Sequence, residues 1–275
     1  MSESREVTCK VDTQPLKELR GATFSVDLTT QGGIFYASPN NVQAVLDCIQ
    51  QHHLTIDTLF GKGLLLDTHL QFSPQGFNKQ KGSYEPLVHL LNTIVRISNK
   101  SLHTLTKMES FKAPPQCYLS RLHFCSRMKV ISKYEGPLEL HGLGLLGKPP
   151  KKAIPWEDVE VVIEVNNQID VLVQQAAAYA RCSLANNRRR SFTTVIGFNH
   201  RSLEVYFFVF HRSGLSSSGP LDLRTRQGFE GVVKHIVGML SIQDEAGYGL
   251  DVTRSQKIFS INDRCYDLIR IHFMR

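Results

Sequence analysis

Residues 155–168 read PWEDVEVVIEVNNQ. Val159, Val161, Val162, Ile163 and Val165 crowd β-branched side chains into a short run, the pattern of a strand buried on both faces in an α/β sheet. Glu164 interrupts that run. A carboxylate inside an apolar strand is costly unless it is paired or holds a metal. Asn166 stands two positions further on, on the same face of the strand, where a cation would make chemical sense.

Outward from this strand the chain alternates helical and strand patterns. Upstream, SPNNVQAVLDCIQQHHL from Ser38 places Val42, Val45, Leu46 and Ile49 on one helical face, with Ser38 or an asparagine as cap. GSYEPLVHLLNTIVRISNK from Gly82 predicts a second helix, with Leu87, Leu90, Leu91, Ile94 and Val95 inward and Glu85 in its first turn. CYLSRLHFC, MKVISKYEG and LELHGLGLL follow as strands. Downstream, NQIDVLVQQAAAYARCSLANN reads as a helix. SFTTVIGFNHRSLEVYFFVFHRSG gives two strands around a turn, and TRQGFEGVVKHIVGMLSI a further helix. The last residues, KIFSINDRCYDLIRIHFMR, predict a hairpin about Asn262-Asp263. This order predicts an α/β domain over 36–251 with a central mixed sheet flanked by helices, an N-terminal arm over 1–35 and a C-terminal hairpin within 252–275.

Composition sets the class. The chain has 275 residues, 41% hydrophobic and 21% charged, enough for a sizeable core. No run reaches the roughly 18 apolar residues that span a bilayer, and MSESREVTCKVDTQ lacks the apolar segment of a secretion signal. Cys9, Cys48, Cys117, Cys125, Cys182 and Cys265 form no C-x-x-C pair, so free thiols in a reducing compartment are expected. These readings give an intracellular protein, cytoplasmic or nuclear, with no membrane association. The net charge of +7 is compatible with nucleic acid or acidic partners. Much of the excess lies in Lys148, Lys151 and Lys152 and in Arg188, Arg189 and Arg190, as solvated surface clusters usually do. Arg188–Arg190 is the candidate contact to a nucleic-acid backbone. Arg212 and Ser213, in FHRSGLSSSG, are candidates for an anion-binding turn. A zinc reading of Cys117, His123 and Cys125 offers three ligands in a spacing that matches no standard finger. No G-x-S-x-G elbow and no G-x-G-x-x-G in strand–turn–helix context occurs.

Glu85 on a helix, a hairpin, and then Glu164 in the next strand resemble the core of PD-(D/E)xK nucleases. In those enzymes an Asp and the Glu of an E-x-K triplet hold Mg²⁺ while a lysine stabilises charge at the attacked phosphate. The resemblance implies a restriction-endonuclease-like core with a degenerate site. Gly142 stands in the place of the Asp and Asn166 in that of the lysine, leaving Glu85, Gly142, Glu164 and Asn166 as vestigial positions and Glu164 as the remaining metal ligand. Retained nuclease activity would need Glu160 or Asp158 to replace the Asp, and Lys148, Lys151 or Lys152 to replace the lysine.

A second resemblance covers more of the chain. Trp156, Asp158, Glu164, Gln175, Tyr179, Ala180, Arg181, Phe192, Arg212, Ser213, Gly214, Gly249 and Asp251 occur in the order seen in the region preceding the kinase domain of fungal-type protein kinases. The tail KIFSINDRCYDLIRIHF resembles the first strands of the kinase lobe, and the chain ends at Arg275 before a Gly-rich loop, HRD-like or DFG-like triplet. The resemblance implies a non-catalytic interaction or regulatory module, with no cofactor expected. Its partner would be a protein, a kinase lobe on another chain, or nucleic acid. The alternative it leaves is a Mg²⁺-dependent nuclease or nucleic-acid-binding domain.

Overall fold

The computed structural model describes residues 22–51, 84–109, 117–131, 138–147, 154–187, 189–211, 214–250, 259–261 and 264–266. In chain order the elements are β1 (Thr23–Ser25), α1 (Pro39–Gln51), α2 (Tyr84–Glu109), β2 (Leu122–Ile131), β3 (Leu138–Leu146), β4 (Ile154–Pro155) and β5 (Val161–Asn166). They continue with α3 (Ile169–Asn186), β6 (Phe192–Asn199), β7 (Glu204–His211), β8 (Gly214–Ser217), β9 (Leu221–Asp222), α4 (Arg226–Leu240), β10 (Phe259–Ile261) and β11 (Arg264–Tyr266). Short 3₁₀ turns at Tyr118–Arg121 and Trp156–Asp158 lead into β2 and β5. No helix of the described residues is long and apolar enough to cross a membrane.

The strands form one nine-stranded mixed sheet in the order β1-β8-β7-β6-β5-β3-β2-β4, with β9 beside β7. β2, β3 and β5 are successively antiparallel, β5 and β6 run parallel, and β6, β7 and β8 are again antiparallel. The α/β class with a mixed sheet and flanking helices is therefore as the sequence predicts. β10 and β11 pair antiparallel through Phe259–Tyr266, Ser260–Cys265 and Ile261–Arg264, and the turn expected at Asn262-Asp263 lies outside the described residues.

Period-two alternation decides which side each strand residue joins. Val161, Ile163 and Val165 pack with Ile196, Phe198, Phe207 and Val209 under the layer of α1, α2 and α4. Val162, Val195, Phe208 and Phe210 face the other way, onto Leu172, Ala176 and Ala180 of α3. The inward residues expected on α4 (Phe229, Val232, Val233, Ile236, Val237 and Leu240) are all buried. Ser38 Oγ accepts from Asn41 N–H at 3.2 Å, capping the entry to α1.

Residues 22–37 pack on the sheet and against α4. β1 adds in parallel to β8 through Thr23–Leu215, Phe24–Ser216 and Ser25–Ser217. The Phe35 side chain is buried among Phe207 and His235, with ring centroids 6.4 and 6.3 Å away. The buried residues Leu28, Phe35 and Ala37 are spaced too unevenly for a sequence pattern, yet they pack once α4 supplies the opposing face.

His235 gives this core a pH limit. Its ring stacks on Phe207 at 4.4 Å, and Nδ1–H donates to Gly231 O at 2.7 Å. Burial pushes its pKa down from 6.5 to about 4, partly countered by the Gly231 carbonyl and by Asp27. The unfolded chain takes up the proton below pH 6.5, whereas the folded one resists until about pH 4. This group's contribution is thus complete above pH 6.5, falls between pH 6.5 and 4, and is constant below. Denaturant titrations across that window should show a loss of about 3 kcal/mol, absent from His235→Phe.

Candidate functional site

β5 keeps its parallel partner β6 along its whole length, from Val161–Thr194 to Asn166–Asn199. Its antiparallel pairing with β3 covers only Gly144–Val161, Leu143–Val162 and Gly142–Ile163. Beyond Ile163 the sheet forks, and Glu164 lies at the fork with no solvent exposure.

The register corrects one expected partner. Gly142 is opposite Ile163, and a Cβ there would meet Cys125 O and Ile163 Cδ1 at 3.1 Å, so the position serves close strand approach. One residue back, His141 faces Glu164. Its Nδ1 lies 3.1 Å from Glu164 Oε2 and accepts from the Val165 backbone N–H at 3.2 Å. The imidazole thus occupies the fork, taking an amide that β3 no longer pairs. Tyr84, at the start of α2, stacks on it with centroids 4.7 Å apart and planes at 24°.

One lone pair on Nδ1 cannot both accept from Val165 and donate to Glu164. The Val165 N–H takes that lone pair, so the 3.1 Å approach of Glu164 Oε2 is a contact and not a hydrogen bond. Burial disfavours the charged form and pushes the Glu164 carboxyl above its ordinary value, while His141 and the Val165 amide act in the opposite direction. Neither Glu164 Oε1 nor Oε2 has a hydrogen-bond partner among the described residues.

Asn166, two positions on, is fully engaged. Its Nδ2 donates to Gln175 Oε1 at 3.0 Å, and its Oδ1 accepts from the N–H groups of Asn167 and Gln168 at 2.8 and 3.1 Å. It turns the chain from β5 into α3, a local Asx role. Glu85 follows Tyr84 on the first turn of α2 and is exposed. The fork therefore brings together Glu164, His141, Tyr84 and Asn166, with Gln175 reaching in from α3.

The other site residues separate. Arg190, one of the candidate nucleic-acid contacts, is 1% exposed. Its Nη2 donates to Glu160 Oε2 at 2.9 Å and its Nη1 to Glu160 O at 3.2 Å. Tyr118 OH donates to Glu160 Oε1 at 3.0 Å, Tyr248 OH donates to Glu160 O at 2.9 Å, and the guanidinium lies 5.7 Å from the Tyr248 ring centroid. Burial raises both phenols above their usual range. The physical reason is that a buried guanidinium requires a buried carboxylate. The same pairing removes Glu160 as a substitute metal ligand. Arg189 pairs with Glu245 at 2.9 Å on the surface, and Asp158 is exposed in the 3₁₀ turn before β5. Arg188, Arg212, Ser213, Lys148, Lys151 and Lys152 lie outside the described residues.

Cys117, His123 and Cys125 do not form a metal centre. Among the described residues no group of three or more His, Cys, Asp or Glu can hold an ion. Burial raises the Cys117 and Cys125 thiols, which opposes thiolate formation.

Sequence reasoning missed His141 and the Tyr118–Glu160–Arg190–Tyr248 cluster. HGLGLL announces a strand, but only the β3–β5 register distinguishes His141 from Gly142 as the neighbour of Glu164.

Residues 146–270 match the family model described as fungal protein kinase. The residues 156–251 that carry the sequence resemblance to that family fall inside the match, as do Glu164, Asn166, Glu160, Arg190 and Tyr248. His141, Tyr84 and Glu85 lie before it. No curated protein and no solved structure matches the chain.

Proposed function

We propose that the α/β domain is a degenerate nuclease-like module that binds a protein partner, with a kinase lobe on another chain among the partners it would suit. The order α2–β2–β3–β5–α3–β6 supports this reading. Three successive antiparallel strands, a helix and a fourth strand parallel to the third are what a restriction-endonuclease-like core requires. The observation that carries it is the fork. Mg²⁺ takes hard oxygen ligands, usually one or two carboxylates. Opposite Glu164 stands the imidazole of His141, and the Asn166 amide that replaces the lysine is spent on Gln175 and on two backbone amides. The donor set does not fit Mg²⁺, and the neutral Asn166 amide has no charge with which to stabilise an attacked phosphate. The nucleic-acid alternative is weakened in the same way, because Arg190 is committed to Glu160.

Isothermal titration of Mg²⁺ and Mn²⁺ into the wild type and Glu164→Gln, with plasmid nicking on the same samples, tests this. The expected result is no metal binding that depends on Glu164 and no nicking by either protein. Glu164-dependent binding accompanied by nicking would make the domain an active nuclease. The variant should also be at least as stable as the wild type at pH 8. A carboxyl whose folded pKa is raised contributes fully below its ordinary value and loses that contribution as pH climbs, whereas the amide has no such loss.

A further inference from the structure

The two edges of the nine-stranded sheet are built differently. On one side the outer strand is β4, which covers only Val130 and Ile131 of β2 and ends in Pro155, a residue with no N–H to offer a further strand. Beyond β4, side chains from α2 take over. Asn92 Oδ1 accepts from Phe124 N–H at 2.8 Å and its Nδ2 donates to Phe124 O at 2.9 Å, while Asn99 Nδ2 donates to Ser120 O at 2.8 Å. With these backbone groups taken, strand addition is blocked on that side.

The other edge is β1, and among the described residues no strand pairs with its outer side. Leu215 N–H donates to Ala22 O at 2.8 Å, and Val26 N–H donates to Ser217 O at 2.9 Å. In the parallel register from Thr23–Leu215 to Ser25–Ser217, these bonds turn the backbone groups of Ala22, Phe24 and Val26 toward β8. The N–H and C=O of Ser25, which lies between them, therefore point out of the sheet. All three β1 residues are exposed, Phe24 at 51%, and Val26 just after the strand is 41% exposed. Phe24 and Val26 are two positions apart and share one face. Residues 22–26 contain no charge and no proline, two of the devices that ordinarily protect an open edge.

We propose that β1 pairs antiparallel with β1 of a second copy of this chain, about a two-fold axis at Ser25. The two Ser25 residues then form a hydrogen-bonded pair, each N–H donating to the other's C=O. On either side Phe24 lies opposite Val26 of the second copy in the closer, non-hydrogen-bonded position, with Cα atoms about 4.5 Å apart. Four apolar side chains thus meet on one face as aromatic–β-branched pairs, which favour association. The segment is complementary to itself. The two Asp27 carboxylates stand roughly 13 Å apart along the strands, farther than a Debye length of about 8 Å, so they oppose pairing little. A head-to-tail arrangement, with β1 on the far edge of the next copy, is barred by Asn92 and Pro155, and pairing stops at the dimer. The inference goes beyond the interaction-module reading and is independent of the metal titration at Glu164, so each can fail alone.

Sedimentation equilibrium of the full chain tests it. The apparent mass should rise from 31.1 kDa toward twice that value, with half of the chain dimeric near about 100 µM, as suits a small interface. Each copy carries a net charge of +7, so added salt should strengthen the association. Ser25→Pro removes the outward N–H and spares every bond to β8. It should weaken association at least about tenfold, with the fold unchanged by circular dichroism. Phe24→Lys, at an exposed position, is the second variant if Ser25→Pro fails to fold, and the same loss is expected. Ser25→Cys should give a disulfide-linked dimer on mild oxidation, because the paired Cα atoms stand about 5.5 Å apart. Gln31→Cys, exposed in the following turn, should cross-link no more than the wild type. A monomer throughout, an assembly that grows past the dimer, or a dimer indifferent to both variants would overturn the proposal. So would association that dissolves in salt, as a nucleic-acid bridge does, or a Ser25→Cys variant that cross-links no better than Gln31→Cys.

Discussion

Arg190→Ala is expected to cost roughly 3–5 kcal/mol of folding stability, the largest effect of any single side-chain truncation considered for this domain. The guanidinium is buried at 1% exposure and its partner Glu160 at 5%. Removing the cation leaves the Glu160 carboxylate desolvated, with only the Tyr118 hydroxyl on Oε1 to offset it. Arg190 also fastens two distant parts of the chain. Its backbone bridges to Leu250, Ser191 N–H donates to Gly249 O at 2.7 Å, and its side chain reaches back to the residue preceding β5. Urea denaturation should show the loss as a lowered midpoint with an unchanged slope. Arg190→Lys should recover only part of it, because an ammonium cannot span Glu160 Oε2 and Glu160 O together as the planar fork does. A surface arginine touching nucleic acid would behave oppositely: its removal would leave stability within about 0.5 kcal/mol and lower nucleic-acid affinity.

Gly238→Ala is the second large effect, at roughly 3 kcal/mol. Gly238 is buried in α4 where the helix meets the loop before α1. A Cβ would lie 1.8 Å from Phe35 O and 2.5 Å from the Phe35 carbonyl carbon, both backbone atoms that cannot rotate away. The loop is itself held, since Phe35 N–H donates to Leu28 O at 2.8 Å. Either α4 or residues 28–35 must therefore shift, and the Phe35 ring leaves its place against Phe207 and His235. Limited proteolysis within residues 22–37 should accelerate together with the fall in the unfolding midpoint. A neutral Gly238→Ala would mean that this segment peels away freely, as an arm would.

His235 and Glu164 respond to pH with opposite sign for one common reason. Burial disfavours the charged form of each, so the imidazole stays neutral down to about pH 4 and the carboxyl keeps its proton above its ordinary range. Acidification costs stability through His235, whereas alkalinisation does so through Glu164. A Glu164→Gln, His235→Phe double variant should have the flattest stability profile across pH 4–8.

The alternation of apolar residues determined the α/β class and the inward faces of α1, α2 and α4, because those depend on spacings of two to four residues that the chain carries locally. Val45, Leu87, Val232 and Ile163 were legible as core for that reason. The oddity of Glu164 was legible too, since five β-branched neighbours predict burial for whatever stands among them. Its partner was not. Whether Gly142 or His141 meets Glu164 turns on the pairing of β3 with β5, which joins residues some twenty positions apart and is carried by no local spacing in LELHGLGLL. Arg190 shows the same limit more sharply. In sequence it completes a triple arginine at a helix end, where cations usually stay in water. Only the tertiary structure brings Glu160, thirty residues earlier, to the one place where a charged side chain can be buried because its counter-charge is buried with it.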